Sequence, residues 1–163
     1  LHGMKIRVPA SDIFIRMLRL FGANPTPLSL GEVFSGMETH MIEGAENNIR
    51  SFQSSRHFEA ARYWSKSEHA YAPDVLLMSR RSFDALAPRD RGLLLELARA
   101  SVPVMRAEWD ESEALARRTV AGSGVLANDC DIPAFRRAAQ PLLDAYQRDP
   151  AIADLTRRIR ALA

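Results

Sequence analysis

Near the amino terminus Met4, Ile6 and Val8 alternate with Lys5 and Arg7, the period-two pattern of a half-buried strand. Pro9 cannot donate to a ladder and ends the run, and Ser11 is placed to cap a helix. Ile13, Phe14, Met17, Leu18 and Phe21 then fall at helical spacing, with Gly22 as the stop. Pro25 and Pro27 frame a short extended piece, after which Ser29 and Glu32 form an S-x-x-E capping box. The helix it opens carries Val33, Phe34, Met37 and Met41 and is expected to close at Gly44. Strand, helix, strand, helix in this order predicts parallel βαβ construction. The polar stretch AENN, residues 45–48, follows where a third strand ought to end.

Beyond it the pattern from Ser51 to Trp64 is mixed and predicts one or two short helices with Phe52, Phe58, Ala61 and Tyr63 turned inward. Val75, Leu76, Leu77 and Met78 form an apolar run too short for a helix, which predicts a strand buried on both faces. Residues 80–124 read as helical nearly throughout. Pro88 favours a fresh start, Gly122 and Gly124 a stop, and the interior Pro103 should bend the helix. A strand over VLAND, residues 125–129, and helices from about Pro133 to Gln147 and from about Pro150 to Leu162 complete the chain. No internal repeat or low-complexity tract interrupts it.

The length of 163 residues allows one full-sized core and argues against two independent domains. A 47% hydrophobic and 26% charged composition marks a folded chain rather than a disordered one. The net charge of +2 is slight, and the basic residues are interspersed with acids, so no stripe suited to nucleic acid emerges. No run approaches the roughly 20 apolar residues of a membrane span. Cys130 stands alone, which rules out an internal disulfide and reads as a small buried or half-buried side chain. The chain begins at Leu1 rather than methionine. It is therefore expected to be processed or truncated, and the lack of a targeting segment is no argument for the cytoplasm.

Candidate chemistry narrows quickly. His40, His57 and His69 have no second His or Cys at i+3 or i+4, the spacing that sets two metal ligands on one helix face. There is no G-x-S-x-G elbow, and Cys130 has no flanking signature of a nucleophile. The glycines of GSG, 122–124, lack the spacing and lysine of a phosphate loop. Met17, Met37, Met41, Met78 and Met105 fall mostly on apolar faces, as gap-fillers of a core do. What remains is Arg7 and GAENN, residues 44–48, at strand ends of neighbouring βα units. An arginine fork grips a carboxylate in two parallel hydrogen bonds, and an amide such as Asn47 donates to a carboxylate or holds a hydroxyl. Glu46 reads as a supporting group that orients Arg7 or caps a backbone amide. On pattern alone, Arg7 can equally be an edge-strand charge pointing at water.

The stretches KIRVP, GANPTPLSLGEVFSGMETHMIEGAENN and YAPDVLLMSRRSFDAL, in this order, resemble the solute-binding proteins of tripartite ATP-independent periplasmic (TRAP) transporters, the DctP-like family. The shared pattern is R-x-P after a strand, A-x-P-x-P before a helix, E-V-[FY] at its start and D/E-G-x-E-N at its end. The resemblance implies that Arg7 makes the two-pronged salt bridge to a substrate carboxylate and that Asn47 hydrogen-bonds the substrate. It places His69 where some members present a polar pocket residue, and Leu30 where others have an aromatic one.

The same resemblance implies an α/β fold, the second lobe of a bilobal periplasmic-binding-protein-like architecture with a long bent interlobe helix. Residues 1–74 would form the second-lobe core with the ligand-binding strand ends, 75–124 the interlobe strand and helix, and 125–163 a strand and the terminal helices. An amino-terminal lobe would be absent, which leaves apolar surface uncovered and favours self-association. The implied function is capture of an organic acid in the periplasm and delivery to TRAP membrane permease subunits. No catalysis, cofactor, metal or nucleic acid is implied, and a signal peptide is expected upstream. A ligand-sensing domain of a transcription regulator shares the bilobal architecture and stands as the alternative; an α/β enzyme is disfavoured by the missing nucleophile and metal constellations.

Overall fold

A computed structural model of the chain describes residues 1–162. Strand β1 (Lys5–Val8) leads into helix α1 (Asp12–Leu20), strand β2 (Asn24–Pro27), a 3-10 turn over Leu30–Glu32 and helix α2 (Val33–Glu38). The two-residue strand β3 (Gly44–Ala45) and helix α3 (Ile49–Ser54) follow, then a 3-10 turn over His57–Glu59 and strand β4 (Tyr63–Lys66). Helix α4 (Arg80–Asp84), the 35-residue helix α5 (Pro88–Gly122), strand β5 (Leu126–Asp129) and helices α6 (Ile132–Tyr146) and α7 (Pro150–Arg160) complete the described chain.

All strand pairing among the described residues is parallel. One sheet has the order β2-β1-β3 and a second pairs β4 with β5. Strand β1 is therefore central in its sheet, not at an edge, and Ile6, Arg7 and Val8 are all buried. Ile6 and Val8 turn to one face and pack with Met17 and Leu18 of α1, Ala23 and Leu142 of α6. Arg7 turns to the opposite face, the one its ladder neighbour Ala45 shares. On that face Val33, Met37 and Ile42 form a compact cluster with Leu28 and Ala45 against it. A third cluster, Ile49, Phe52, Ala116 and Val120, joins α3 to the last turns of α5, with Phe58, Trp64 and Val125 packed on it.

Local chemistry explains the boundaries. The Ser29–Glu32 capping box forms as the spacing predicts: Glu32 Oε2 accepts from the Ser29 amide at 2.9 Å and from its hydroxyl at 2.6 Å. These bonds hold the Glu32 carboxyl below its usual range. Helix α2 stops at Glu38, with His40 at a φ of 57°, rather than running to Gly44. Gly44 opens β3 instead. A Cβ there would lie 3.1 Å from Ile6 Cδ1, so the close approach of β3 to β1 favours glycine.

Several expectations need correction. Residues 63–66 form strand β4 rather than the end of a helix, so Tyr63 is exposed and Trp64 turns toward Phe52, ring centroids 5.0 Å apart. Val75–Met78 forms no strand and is not buried: Leu76 and Leu77 are 77% and 81% exposed. A strand needs a neighbour for its backbone groups, and no described strand pairs with this run. Met17 and Met37 fill core gaps, whereas Met41, Met78 and Met105 are exposed. Helix α5 continues through Pro103, and Cys130 is a half-buried free thiol.

Candidate functional site

Arg7 sits at the carboxyl end of the central strand, the position where open parallel sheets gather ligands. Its residue is only 5% exposed. The Nε group donates to the Leu28 carbonyl at 2.8 Å, which fixes the guanidinium plane against the loop that follows β2. That bond leaves both terminal nitrogens outside it. No carboxylate among the described residues forms an ion pair with Arg7. A buried, anchored and unneutralised guanidinium is costly unless an anion completes it.

The GAENN segment is tied to the same strand. The Glu46 amide donates to the Arg7 carbonyl at 3.2 Å, so Asn47 lies two residues past Ala45, the last residue of β3 paired with β1. Asn47 Oδ1 accepts from the Asn48 amide at 2.8 Å, which commits its carbonyl and leaves its NH2 as the free donor. Asn48 in turn caps α3 through its side chain, accepting from the Ser51 amide at 2.9 Å.

Glu46 does something other than orient Arg7. Its carboxylate Oε2 lies 3.4 Å from His69 Nε2, and His69 Nδ1 lies 2.7 Å from Ser67 Oγ, with both Glu46 and His69 side chains largely buried. Glu46, Asn47, Ser67 and His69 line a cavity of about 650 Å³, within the range of small-molecule sites. The structure thus brings three of the sequence candidates, Glu46, Asn47 and His69, to one wall. Arg7 joins them through the β1–β3 ladder and is not itself on the cavity wall. Leu30, half exposed on the 3-10 turn, stands apart from this group.

Pattern reading missed two participants. His57, noted in the sequence only as a metal candidate without a partner, is 2% exposed and borders the same cavity. Its Nε2 has no hydrogen-bond partner among the described residues. Burial first, and then the charge of Arg7, push its pKa below the ordinary histidine value, so it stays neutral beside the guanidinium. Ser67 was invisible for a simpler reason: a lone serine carries no spacing signal. Among the described residues no cluster of His, Cys, Asp and Glu could hold a metal ion, and no helix is long and apolar enough to cross a membrane.

Comparison with known proteins shows the family. The family model for DctP, bacterial extracellular solute-binding protein family 7, matches residues 1–149. The chain belongs to that family. Among solved DctP-family structures, a TRAP periplasmic solute-binding protein from Xanthobacter autotrophicus Py2 with bound β-D-galacturonate is 44% identical, with a TM-score of 0.94 over 99% of this chain and 54% of that one. A counterpart from Chromohalobacter salexigens with bound D-glucuronate is 34% identical, with a TM-score of 0.93 over 99% of this chain and 55% of the other. The 2,3-diketo-L-gulonate-binding periplasmic protein YiaO of Escherichia coli K12 is 32% identical over 98% of this chain and 49% of its own length. The chain thus spans about half the length of the DctP-family relatives it matches. Its architecture is that of one lobe of a TRAP periplasmic binding protein, α/β with parallel sheets flanked by helices.

Proposed function

We propose that the protein carrying this chain is the periplasmic substrate-capturing component of a TRAP transporter, and that its substrate is a hexuronate or closely related sugar acid. The observation that carries the proposal is Arg7: buried at a central strand end, held by one hydrogen bond to Leu28 and without an ion-pair partner among the described residues. A ligand carboxylate supplies the missing charge in two parallel bonds from the terminal nitrogens. Asn47 donates its free NH2 to the ligand, and the polar wall of Glu46, Ser67 and His69 suits hydroxyls better than hydrocarbon. The bound galacturonate and glucuronate of the solved relatives support the choice of acid, and the sugar acid named for the Escherichia coli relative agrees with it.

In this reading the anion is held by charge-assisted hydrogen bonds and released unchanged. A second lobe of the kind the longer relatives have would close over it by hinge motion, exclude water from the Arg7 contact, and present the loaded protein to membrane permease subunits.

A calorimetric titration of the natural-length protein with galacturonate, glucuronate, 2,3-diketogulonate and succinate tests the assignment. Saturable binding of at least one sugar acid in metal-free buffer, tighter than succinate by tenfold or more, is the expected result. Tighter binding of succinate, or binding that a chelator abolishes and a divalent metal restores, would overturn it.

A further inference from the structure

The half-buried wall formed by Ser67, His69 and Glu46 is a hydrogen-bonded row whose proton positions follow from its end groups. A carboxylate offers lone pairs only, so the ring nitrogen that faces Glu46, Nε2, carries the hydrogen. In a neutral imidazole the other nitrogen is then bare. With the ring in that neutral form His69 Nδ1 accepts, and the group 2.7 Å away that can donate to it is the Ser67 hydroxyl. The row therefore runs in one sense, from Ser67 through His69 to Glu46.

The backbone is bent to make the first of these bonds. Glu68, between Ser67 and His69, sits at a φ of 47°, in the left-handed region that a side chain occupies only at a cost. That turn folds Ser67 and His69 toward one another, and the Glu68 carboxylate is itself held at 2.9 Å by Lys66. A strained residue between two bonded side chains at a cavity wall is better accounted for by the bond it permits than by any packing, since Glu68 itself is exposed.

We propose that Ser67 is a positioning residue of the ligand site. Its hydroxyl proton fixes His69 in the Nε2–H tautomer, and His69 in that state holds the Glu46 carboxylate at the cavity wall as an acceptor for ligand hydroxyls. Glu46 adjoins Asn47 in sequence, so the same restraint sets the end of β3 from which Asn47 projects. The lone pairs of Ser67 that remain, and the second carboxylate oxygen of Glu46, give this wall an acceptor-rich character. Such a wall favours a polyhydroxylated monoanion and opposes a second carboxylate. The inference rests on the sugar-acid reading above.

The test uses the natural-length protein with 15N-labelled histidine. Long-range 1H–15N correlation reports the His69 tautomer, and calorimetry with galacturonate reports affinity. The parent should show His69 as Nε2–H. Ser67→Ala should show a mixture of tautomers and bind galacturonate about threefold to tenfold more weakly, the range of one lost hydrogen bond. Ser67→Thr, which keeps the hydroxyl, should retain the tautomer and bind within twofold of the parent. A Ser67→Ala protein that keeps the parental tautomer, or binds galacturonate within twofold of the parent, overturns the role of Ser67 alone. A parent that binds none of the hexuronates fails in its own titration, and the functional reading falls together with this one.

Discussion

Two short apolar runs, each followed by a helix cap, meet opposite fates in this chain. Ile6 and Val8 of β1 are buried under α1 and α6, Val8 completely. Val75–Met78 lies open, and so do Leu93, Leu95, Leu97, Val104 and Met105 along the first half of α5, whose only buried residues are Ala116 and Val120 near its end. Hydrophobic composition does not separate the two regions. What separates them is a neighbour: β1 has a strand on either side, while residues 75–78 have none among the described residues, and α5 meets α3 from Trp109 onward. An apolar pattern measures the need for a partner, and the partner is a separate fact. The solved relatives are nearly twice as long as this chain, and an exposed face of this size is the kind that a further lobe or a second copy would cover.

The largest effect should come from paired truncations across this divide. In chemical denaturation of the 163-residue chain, Ile42→Ala in the closed cluster should cost ~2–5 kcal/mol, whereas Leu77→Ala in the open run should stay within ~0.5 kcal/mol. Equal losses at the two sites would erase the contrast. A smaller effect belongs to the clip that ties α5 to the packed region. The Arg50 guanidinium lies 4.0 Å from the Trp109 ring centroid and its Nε donates to Ser112 at 2.8 Å, so Arg50→Ala should cost ~1–2 kcal/mol. Hydrogen exchange should also quicken around 109–120 while residues 90–100 stay as labile as in the parent.

Removing the α3 cap with Asn48→Ala should cost ~1 kcal/mol by thermal unfolding, with Asn48→Asp near neutral. The smallest effect is electrostatic. His57 has a pKa depressed by burial and by Arg7, so its contribution to stability is complete above the unfolded value of roughly 6.5 and declines as pH falls below it toward the folded value. Between pH 7.5 and 5.5 the parent should therefore lose more stability than His57→Gln. Identical pH profiles would show that His57 is not held neutral in the folded chain.

How much was legible depends on how local the deciding physics is. β1, α1, β2 and the Ser29–Glu32 box follow from residues within a turn of one another, and so do the ends of α5 and the starts of α6 and α7. β4 was not legible because its ladder partner, β5, lies some sixty residues further on, as the Ser65–Asn128 hydrogen bond illustrates, and its own composition is mixed. β3 is two residues long, too short for any period to register. The R-x-P and E-N motifs marked Arg7 and Asn47, but no spacing rule connects Glu46 to His69 across 23 residues, or the charge of Arg7 to the buried ring of His57. Those links are made by the way β1, β3 and the 57–69 segment stack, which is a property of the folded chain.

The central claim is that Arg7 is the anchor for a ligand carboxylate, and titration of Arg7→Ala with galacturonate in the natural-length protein tests it most directly. Removing a desolvated charge partner should weaken binding by ~2–5 kcal/mol, roughly 30-fold to several-thousand-fold. Arg7→Lys, which keeps the charge and loses the fork, should also bind clearly more weakly than the parent, and Asn47→Ala should lose ~1–3 kcal/mol. An Arg7→Ala protein that folds normally and binds galacturonate within twofold of the parent would contradict the account.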